Sequence, residues 1–172
     1  LALISNGFDI EESIFEALSR LDIYEIGFSL DGDQQHHDYI RGSGSFDNLV
    51  KNVHKFHDFG VPVGVITTVS KLNIDNLDEI LRIILNNGID AWQIQAAIPM
   101  GRLDSSFALS NKEYKRVVDF IYRVRTMHHK EVFLNGGDCM GIGAKPLVTA
   151  IDYSQGNCGA GISVIGIRSN GD

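Results

Sequence analysis

The stretch that decides the fold runs from Ile26 to Phe46 and reads Ile-Gly-Phe-Ser-Leu-Asp-Gly-Asp-Gln-Gln-His-His-Asp-Tyr-Ile-Arg-Gly-Ser-Gly-Ser-Phe. It begins as an apolar, strand-like run that ends in Ser29 and Asp31. A short polar loop is then predicted to deliver Arg41 just before the next helix. Open α/β sheets and barrels have their ligand-binding sites at the carboxyl ends of the strands. This arrangement therefore predicts a binding site for a small charged ligand.

Strand-like and helix-like segments alternate outward from this stretch, which is the pattern of βα units around a parallel sheet. We predict an α/β fold in which parallel strands have their helices on one side, as in part of a (β/α) barrel. The predicted strands lie near Leu1–Ile4, Ile23–Leu30, Val61–Val69 and Ala91–Ile98.

The predicted helices follow from apolar periodicity and from end signals. The first is expected to bury Ile14, Leu18 and Leu21. The second spans about Phe46 to Phe59 and is ended by Gly60. The third is ended by Gly88, and its inward face is Leu77, Ile80, Leu81, Ile84 and Leu85. The fourth is capped by Ser110 and Glu113 and turns Val117, Ile121 and Val124 inward.

Composition narrows the classes of function. The chain has 172 residues, enough to bury a sizeable core, and a formal net charge of −7, which argues against a nucleic-acid surface. Apolar runs long enough for a membrane span and a secretory signal are absent from the sequence, so we expect a cytoplasmic protein that meets a peptide or a small molecule. Self-association through an exposed strand edge is a further expectation.

The motifs around the opening stretch resemble those of a known family. Ser-Leu-Asp-Gly, then His-Asp-x-x-Arg-Gly, then a Gly-Ser-Phe helix start is similar to the fourth strand and following helix of radical S-adenosylmethionine (radical SAM) enzymes. The nearest group has a C-terminal SPASM extension and matures peptides or builds cofactors. The resemblance implies a partial radical SAM barrel over 1–130, followed over 131–172 by a linker and the start of a SPASM-like extension.

The resemblance also implies roles for single residues. Ser29 would hydrogen-bond the bound S-adenosylmethionine, and Arg41 would pair with its carboxylate, for which a guanidinium fork is suited. Gly101 would offer its backbone to the adenine, and Thr67, with Thr68, would border it. The alternative for Ser29 and Arg41 is a chain turn with a surface ion pair. Under the binding role, replacing Arg41 is expected to weaken cofactor binding with little effect on folding.

The cysteines are the residues that could ligate iron–sulfur clusters. By the resemblance, Cys158 opens the pattern C-x9–15-G-x4-C, with Gly171 inside its range, and would ligate an auxiliary cluster in the intact protein. The family's C-x3-C-x2-C loop for the [4Fe–4S] cluster does not occur in this sequence. We therefore expect the chain to be the central piece of a longer enzyme, to bind no cofactor alone and to be inactive alone. Cys139 is expected to be structural.

Other residues suggest different chemistry. Lys71 after the third predicted strand could form a Schiff base, which makes a lyase or aldolase the alternative function, although that role needs a buried lysine. A non-catalytic α/β ligand-binding module is the other alternative. His36 and His37 could suggest a metal site, but neighbours on an extended segment point in opposite directions and do not share a metal, so we interpret both as solvated loop residues. In the intact family, a 5′-deoxyadenosyl radical modifies a peptide or a cofactor precursor, and the resemblance implies an oxidoreductase or maturase of this kind.

Overall fold

A computed structural model describes residues 2–8, 10–18, 20–99 and 104–137 of the chain. Its strands are β1 (Ala2–Ser5), β2 (Glu25–Ser29), β3 (Val63–Val69), β4 (Ala91–Ala96) and β5 (Phe133–Gly136). Its α-helices are α1 (Glu12–Leu18), α2 (Gln34–Arg41), α3 (Ser45–Asp58), α4 (Leu77–Asn86) and α5 (Asn111–His128). Short 3-10 turns occupy Ile74–Asn76 and Ser105–Phe107.

The strands form one parallel sheet in the order β1-β2-β3-β4-β5. Each strand therefore lies beside the one that follows it along the chain, as in the wall of a (β/α) barrel. This confirms the predicted α/β class and the four predicted strands. The fifth strand, β5, was not predicted, and it continues the sheet beyond the expected domain boundary at residue 130.

The two faces of this sheet differ in burial. Alternate residues of each strand face opposite sides, and one side packs into a continuous apolar core with α3, α4 and α5. The strands contribute the following residues to that core: Ile26, Phe28, Val63, Val65, Val69, Trp92, Ile94 and Leu134. The intervening residues form the second side, which we call the open face.

The open face is defined by the register of the strands. Its rows across the sheet include Gly27 paired with Gly64, Ser29 paired with Ile66, and Thr68 paired with Gln95. A shallow concavity of about 280 Å³ lies on it, lined in part by Ile4, Gly27, Ile66, Gln93 and Asn135. In a (β/α) barrel this face lines the interior, and ligands bind at the carboxyl ends of its strands.

The helix predictions hold in most places. Positive φ angles at Gly60 (71°) and Gly88 (63°) follow α3 and α4, as the C-cap signals predicted. The capping box of Ser110 and Glu113 begins α5. In the described part of the chain, the helices are too short or too polar to cross a membrane.

The prediction for α1 was right for Leu18, which packs against the core, and wrong for Ile14 and Leu21. Phe15 is the buried residue and packs on Phe56 with 4.6 Å between ring centroids. Ile14 and Leu21 are about half exposed, at 46% and 52%. The helix ends at Leu18, so Leu21 lies beyond it, and the large aromatic ring takes the contact that the aliphatic residues were expected to make.

The region from 34 to 41 also differs from expectation, because it is the helix α2 and not a loop. The side chain of Asp33 accepts a hydrogen bond from the His36 amide and caps its first turn. The ring nitrogen Nδ1 of His36 also lies 2.8 Å from Asp33 Oδ1, so the His36 side chain contacts the capping residue as well. His37 is fully buried, which corrects its interpretation as a solvated loop histidine.

Candidate functional site

The carboxyl ends of β2, β3 and β4 bring polar side chains to one place on the open face. Ser29 is the last residue of β2, and its register partner Ile66 lies two residues before Thr68, which puts Ser29 and Thr68 on the same side. Thr68 is paired in turn with Gln95 of β4. The Gln95 amide donates to the Thr68 hydroxyl at 3.0 Å, so these strand ends carry a connected polar row.

Asp31, two residues beyond β2, is the centre of the hydrogen-bond network behind this row. Its carboxylate accepts from Arg41 Nε at 2.6 Å and from the Thr68 amide at 2.9 Å. Its own amide donates to His37 Nδ1 at 3.1 Å, and its carbonyl accepts from the Asn73 side chain at 2.9 Å. Asp31 is only 1% exposed, so these partners are what makes a buried carboxylate tolerable.

Arg41 reaches Asp31 because α2 folds back over the end of β2. It is the last residue of that helix, and Gly42 with φ of 110° turns the chain away after it. The Arg41 side chain is 32% exposed, while that of Asp31 is 2% exposed. The structure thus brings Arg41 to the strand end that also carries Ser29, and its partner there is a carboxylate of the chain itself.

This pairing changes the expectation for Arg41 replacement. A surface residue could be truncated with little effect on folding, but removal of Arg41 leaves a buried carboxylate short of its counter-charge. The alternative expected Arg41 in an ion pair at the surface, and the structure shows the ion pair with a buried partner, Asp31. Arg41 therefore has a structural role that the sequence did not reveal.

Thr67 lies on the packed side of the sheet, which corrects its place among the candidate ligand contacts. It is 0% exposed, its hydroxyl donates to the Leu30 carbonyl at 2.6 Å, and it accepts from Trp92 Nε1 at 2.8 Å. Strand alternation puts neighbouring residues on opposite faces, so a ligand on the open face meets Thr68 instead.

His37 and Asn73 are site residues that the sequence reasoning missed. Because His37 Nδ1 accepts from the Asp31 amide, its proton belongs on Nε2, which is buried without a partner among the described residues. Burial lowers the pKa of His37, an effect that Arg41 reinforces and that the Asp31 and Asp38 carboxylates oppose. The ring therefore stays neutral at neutral pH.

Asn73 joins the two strand ends from the other side. Its side-chain amide donates to the carbonyls of Asp31 and Thr68, and its oxygen accepts from the Ser70 amide. It is 1% exposed. An Asn three residues after Ser70 in a short polar loop was the available signal, since Asn side chains often bond to nearby backbone in turns.

Asp38 fixes the start of the next helix. It accepts from the amides of Phe46 and Gly44 and from the hydroxyl of Ser45. Hydrogen bonds from the Phe46 and Gly44 amides lower the pKa of Asp38 below its ordinary value. The His-Asp-x-x-Arg spacing thus places three side chains with structural contacts, those of His37, Asp38 and Arg41, on the short helix α2.

Of the remaining candidate site residues, Lys71 is not supported as a catalytic residue, and the other three are not described by the structure. Lys71 is exposed, and its Nζ lies 3.2 Å from the Ser106 carbonyl, so it lacks the burial that a Schiff-base lysine needs. Gly101, Cys139 and Cys158 lie outside the described residues. Across the described ranges, no cluster of three or more His, Cys, Asp or Glu side chains could hold a metal ion.

The chain is similar to known radical SAM proteins in sequence and in structure. Residues 1–84 match the Radical SAM superfamily. The predicted resemblance to radical SAM enzymes is confirmed. The matched segment holds β1 to β3, the whole Asp31 network and most of α4.

Curated relatives extend the similarity further along the chain. An AdoMet-dependent heme synthase of Methanosarcina barkeri is 26% identical over 127 residues, which are 73% of this chain and 36% of the relative. The sporulation killing factor maturation protein SkfB of Bacillus subtilis is 25% identical over 129 residues, which are 74% of this chain and 31% of the relative. The chain thus spans about a third of the length of these relatives.

Among solved structures, anSMEcpe with bound AdoMet and the Kp18Cys peptide has the same fold over most of this chain. The TM-score is 0.63 at 19% identity, with 77% of this chain and 39% of the other covered. At that identity the similarity establishes the fold, which is the partial radical SAM barrel expected from the sequence.

Proposed function

We propose that this chain forms the S-adenosylmethionine-binding edge of a radical SAM enzyme that modifies a peptide or a cofactor precursor. The observation that carries this proposal is the convergence of Ser29, Thr68 and Arg41 at the carboxyl ends of β2 and β3. This is the part of a barrel where ligands bind. The family match over residues 1–84 supports S-adenosylmethionine as the cofactor of the intact protein.

The side chains present there fit S-adenosylmethionine, which carries a carboxylate, an amino group and a ribose. Ser29 and Gln95 offer a hydroxyl and an amide at the open face, and both kinds of group donate and accept hydrogen bonds. Arg41 brings a partly exposed guanidinium to the same edge, with Nε held by Asp31. The Asp31 contact fixes the plane of that guanidinium before a ligand arrives.

In this proposal each described residue has a binding task. Ser29 hydrogen-bonds the cofactor, Arg41 faces its carboxylate, and Thr68 replaces Thr67 beside the adenine. Gly101, whose structure is not described, is proposed to offer backbone groups to the adenine. S-adenosylmethionine, when bound and reduced by an iron–sulfur cluster, supplies a 5′-deoxyadenosyl radical. The described residues contain no ligand set for such a cluster, so their contribution is binding and orientation.

The whole enzyme is proposed to be a cytoplasmic oxidoreductase or maturase. Its [4Fe–4S] cluster is assigned to other parts of the protein, and Cys158 to an auxiliary cluster. Relatives support both substrate kinds, because one is described as a heme synthase and another as a peptide maturation protein.

Calorimetric titration of the full-length enzyme that contains this chain with S-adenosylmethionine tests the cofactor proposal. Ser29→Ala and Thr68→Val should each weaken binding by about threefold to tenfold, the scale of one neutral hydrogen bond. Matched controls are Ser13→Ala on α1 and Thr126→Val on α5, which remove the same groups from exposed helix positions. Equal affinity in the wild-type full-length enzyme and both site variants would remove the proposal's support.

A further inference from the structure

His37 is a buried histidine that the cofactor proposal does not use. It lies on α2, the helix that ends at Arg41, and it is 0% exposed. Its Nδ1 atom accepts a hydrogen bond of 3.1 Å from the amide of Asp31. Among the described residues, its Nε2 atom is buried without a partner. The hydrogen bond of the ring is therefore with the residue whose carboxylate holds Arg41.

Asp31 connects His37 to the proposed cofactor site. Its amide is held by His37, and its carbonyl is held by the side chain of Asn73. Its carboxylate accepts from Arg41 Nε and from the Thr68 amide. The backbone contacts determine where the carboxylate lies, and the carboxylate in turn determines where the guanidinium of Arg41 lies. His37 can therefore act on Arg41 without contact to a ligand.

The contact between His37 and Asp31 requires a neutral ring. Nδ1 accepts a hydrogen bond only while it carries no proton, and a protonated imidazole presents an N–H at both nitrogens. The Asp31 amide is also a donor, so protonation sets two donors against each other. Because Asp31 is 1% exposed, its amide cannot replace the lost partner with bulk water. Protonation of His37 therefore displaces the ring or the chain at Asp31.

The charged side chains that face the His37 ring act in opposite directions. The carboxylates of Asp31 and Asp38 favour a proton on the ring, and the guanidinium of Arg41 opposes one. Helix α3 packs the uncharged ring of Phe46 against it, with 6.1 Å between the centroids. Burial is the largest influence and lowers the pKa of His37 below 6.5. A protonated ring becomes a second cation beside the Asp31 carboxylate and competes with Arg41 for it.

We propose that His37 is a positioning residue for the carboxylate of the cofactor. The neutral ring holds Asp31 and Arg41 in the geometry that binds, and protonation of the ring releases them. This inference rests on the proposed function and adds a proton dependence to the same site. Cofactor binding and protonation of His37 then oppose each other, and each weakens the other by the same factor.

Calorimetric titration of the full-length enzyme with S-adenosylmethionine at about pH 7.5 and about pH 5.0 tests the inference, since this range contains the ordinary pKa of histidine. The variant is His37→Asn, because asparagine keeps an oxygen that accepts from the Asp31 amide and does not titrate. On acidification, the dissociation constant should rise about threefold more in the wild type than in His37→Asn. The change in the variant accounts for every other titrating group, including the amino group of the cofactor.

His54→Asn is the matched control, since it removes an exposed histidine of α3. It should keep the pH dependence of the wild type. A substitution that only loosens the fold weakens binding at both pH values and leaves their ratio unchanged, so the ratio separates positioning from general damage. Circular dichroism at both pH values reports whether each protein is folded.

Proton release is a second measurement, and it needs no variant. Cofactor binding by the wild type at about pH 5.5 should release protons, because binding favours the neutral form of His37. The release is measured as the difference between the binding heats in acetate and in MES buffer, which have different enthalpies of ionisation. This measurement decides the question if His37→Asn does not fold.

Equal pH dependence in the wild type and His37→Asn, or binding by the wild type without proton release, would overturn the inference. Binding at about pH 7.5 that Ser29→Ala weakens, with no contribution from His37 to its pH dependence, refutes the role of His37 alone and leaves the cofactor proposal supported. Absence of cofactor binding at both pH values refutes the cofactor proposal and the role of His37 with it.

Discussion

Thr67 and Thr68 are neighbours on β3 and have the same type of side chain, yet these side chains lie in different environments. Thr67 is fully buried, and its hydroxyl joins the Leu30 carbonyl to the Trp92 ring nitrogen. Thr68 lies on the open face, where its hydroxyl accepts from Gln95. The first hydroxyl satisfies a buried donor and acceptor, whereas the second belongs to the surface at which a ligand can bind.

The comparison shows how the sheet divides its two tasks. Groups on the packed side have fixed partners, and their removal is expected to cost stability. Groups on the open face have spare hydrogen-bonding capacity, and their removal is expected to cost binding. The Asp31–Arg41 pair has a partner in each environment, because the Asp31 carboxylate is buried while Arg41 is partly exposed to solvent.

The largest expected loss of stability follows from breaking the pair between Arg41 and Asp31. Arg41→Ala should lower the free energy of unfolding by about 3 kcal/mol, because it leaves the buried Asp31 carboxylate without its counter-charge. Urea denaturation measures the change. The control Arg116→Ala breaks the exposed pair with Asp75 and should cost about 0.5 kcal/mol.

A double-mutant cycle separates this pair from general damage. Asp31→Asn in the Arg41→Ala background should restore part of the lost stability, since the buried charge is gone and an oxygen remains for the Thr68 amide. Strictly additive losses in the double variant would show that the pair does not stabilise the strand end.

The second effect tests the threonines themselves. Thr67→Val should lower the free energy of unfolding by about 2 kcal/mol, because Trp92 Nε1 and the Leu30 carbonyl lose their buried partner. Thr68→Val should cost about 0.5 kcal/mol, since its partner Gln95 can turn to water. Equal losses in the two variants would contradict the division of the sheet into a packed side and an open face.

The smallest effect is the pH dependence that His37 imposes. Its pKa is lowered from the ordinary 6.5, so the unfolded chain takes up the proton first as the pH falls. The stability is complete above pH 6.5 and decreases as the pH falls below that value. Protonation also sets an N–H on Nδ1 against the Asp31 amide donor.

Urea denaturation at about pH 7.5 and about pH 5.5 measures this dependence on the two sides of the ordinary histidine value. Asp38 does not interfere, because its lowered pKa places its titration below 3.8. His37→Asn keeps an acceptor for the Asp31 amide and should flatten the difference. His54→Asn, at an exposed position of α3, should leave it unchanged, and a flat wild-type profile would argue against a neutral buried His37.

Much of the fold could be predicted because its signals are local. The apolar runs of β2, β3 and β4, and the glycines after α3 and α4, each report their own element. Helix α2 was missed because its residues 34–41 are mostly polar and lack an apolar stripe. Strand β5 was missed because it spans only Phe133–Gly136 and has no strong alternation.

The candidate site was predictable only in part, for a physical reason. The sequence shows that Ser29, Asp31 and Arg41 follow one strand, and the family spacing adds the expected cofactor. It does not show the pairing partner of Arg41, since that depends on how α2 packs against the strand end. It also leaves the facing of Thr67 and Thr68 open, because an apolar run such as β3 gives no alternation from which to assign the faces.

The most direct test of the central claim is the map of amide shifts when S-adenosylmethionine is added to the isotope-labelled full-length enzyme that contains this chain. The account predicts the largest shifts at Ser29, Thr68 and Gln95, and much smaller ones on the helices at residues such as Val53 and Ile84, which pack against the other side. Shifts centred on those helix residues, with Ser29 and Thr68 unmoved, would contradict a cofactor site at the carboxyl edge of the open face.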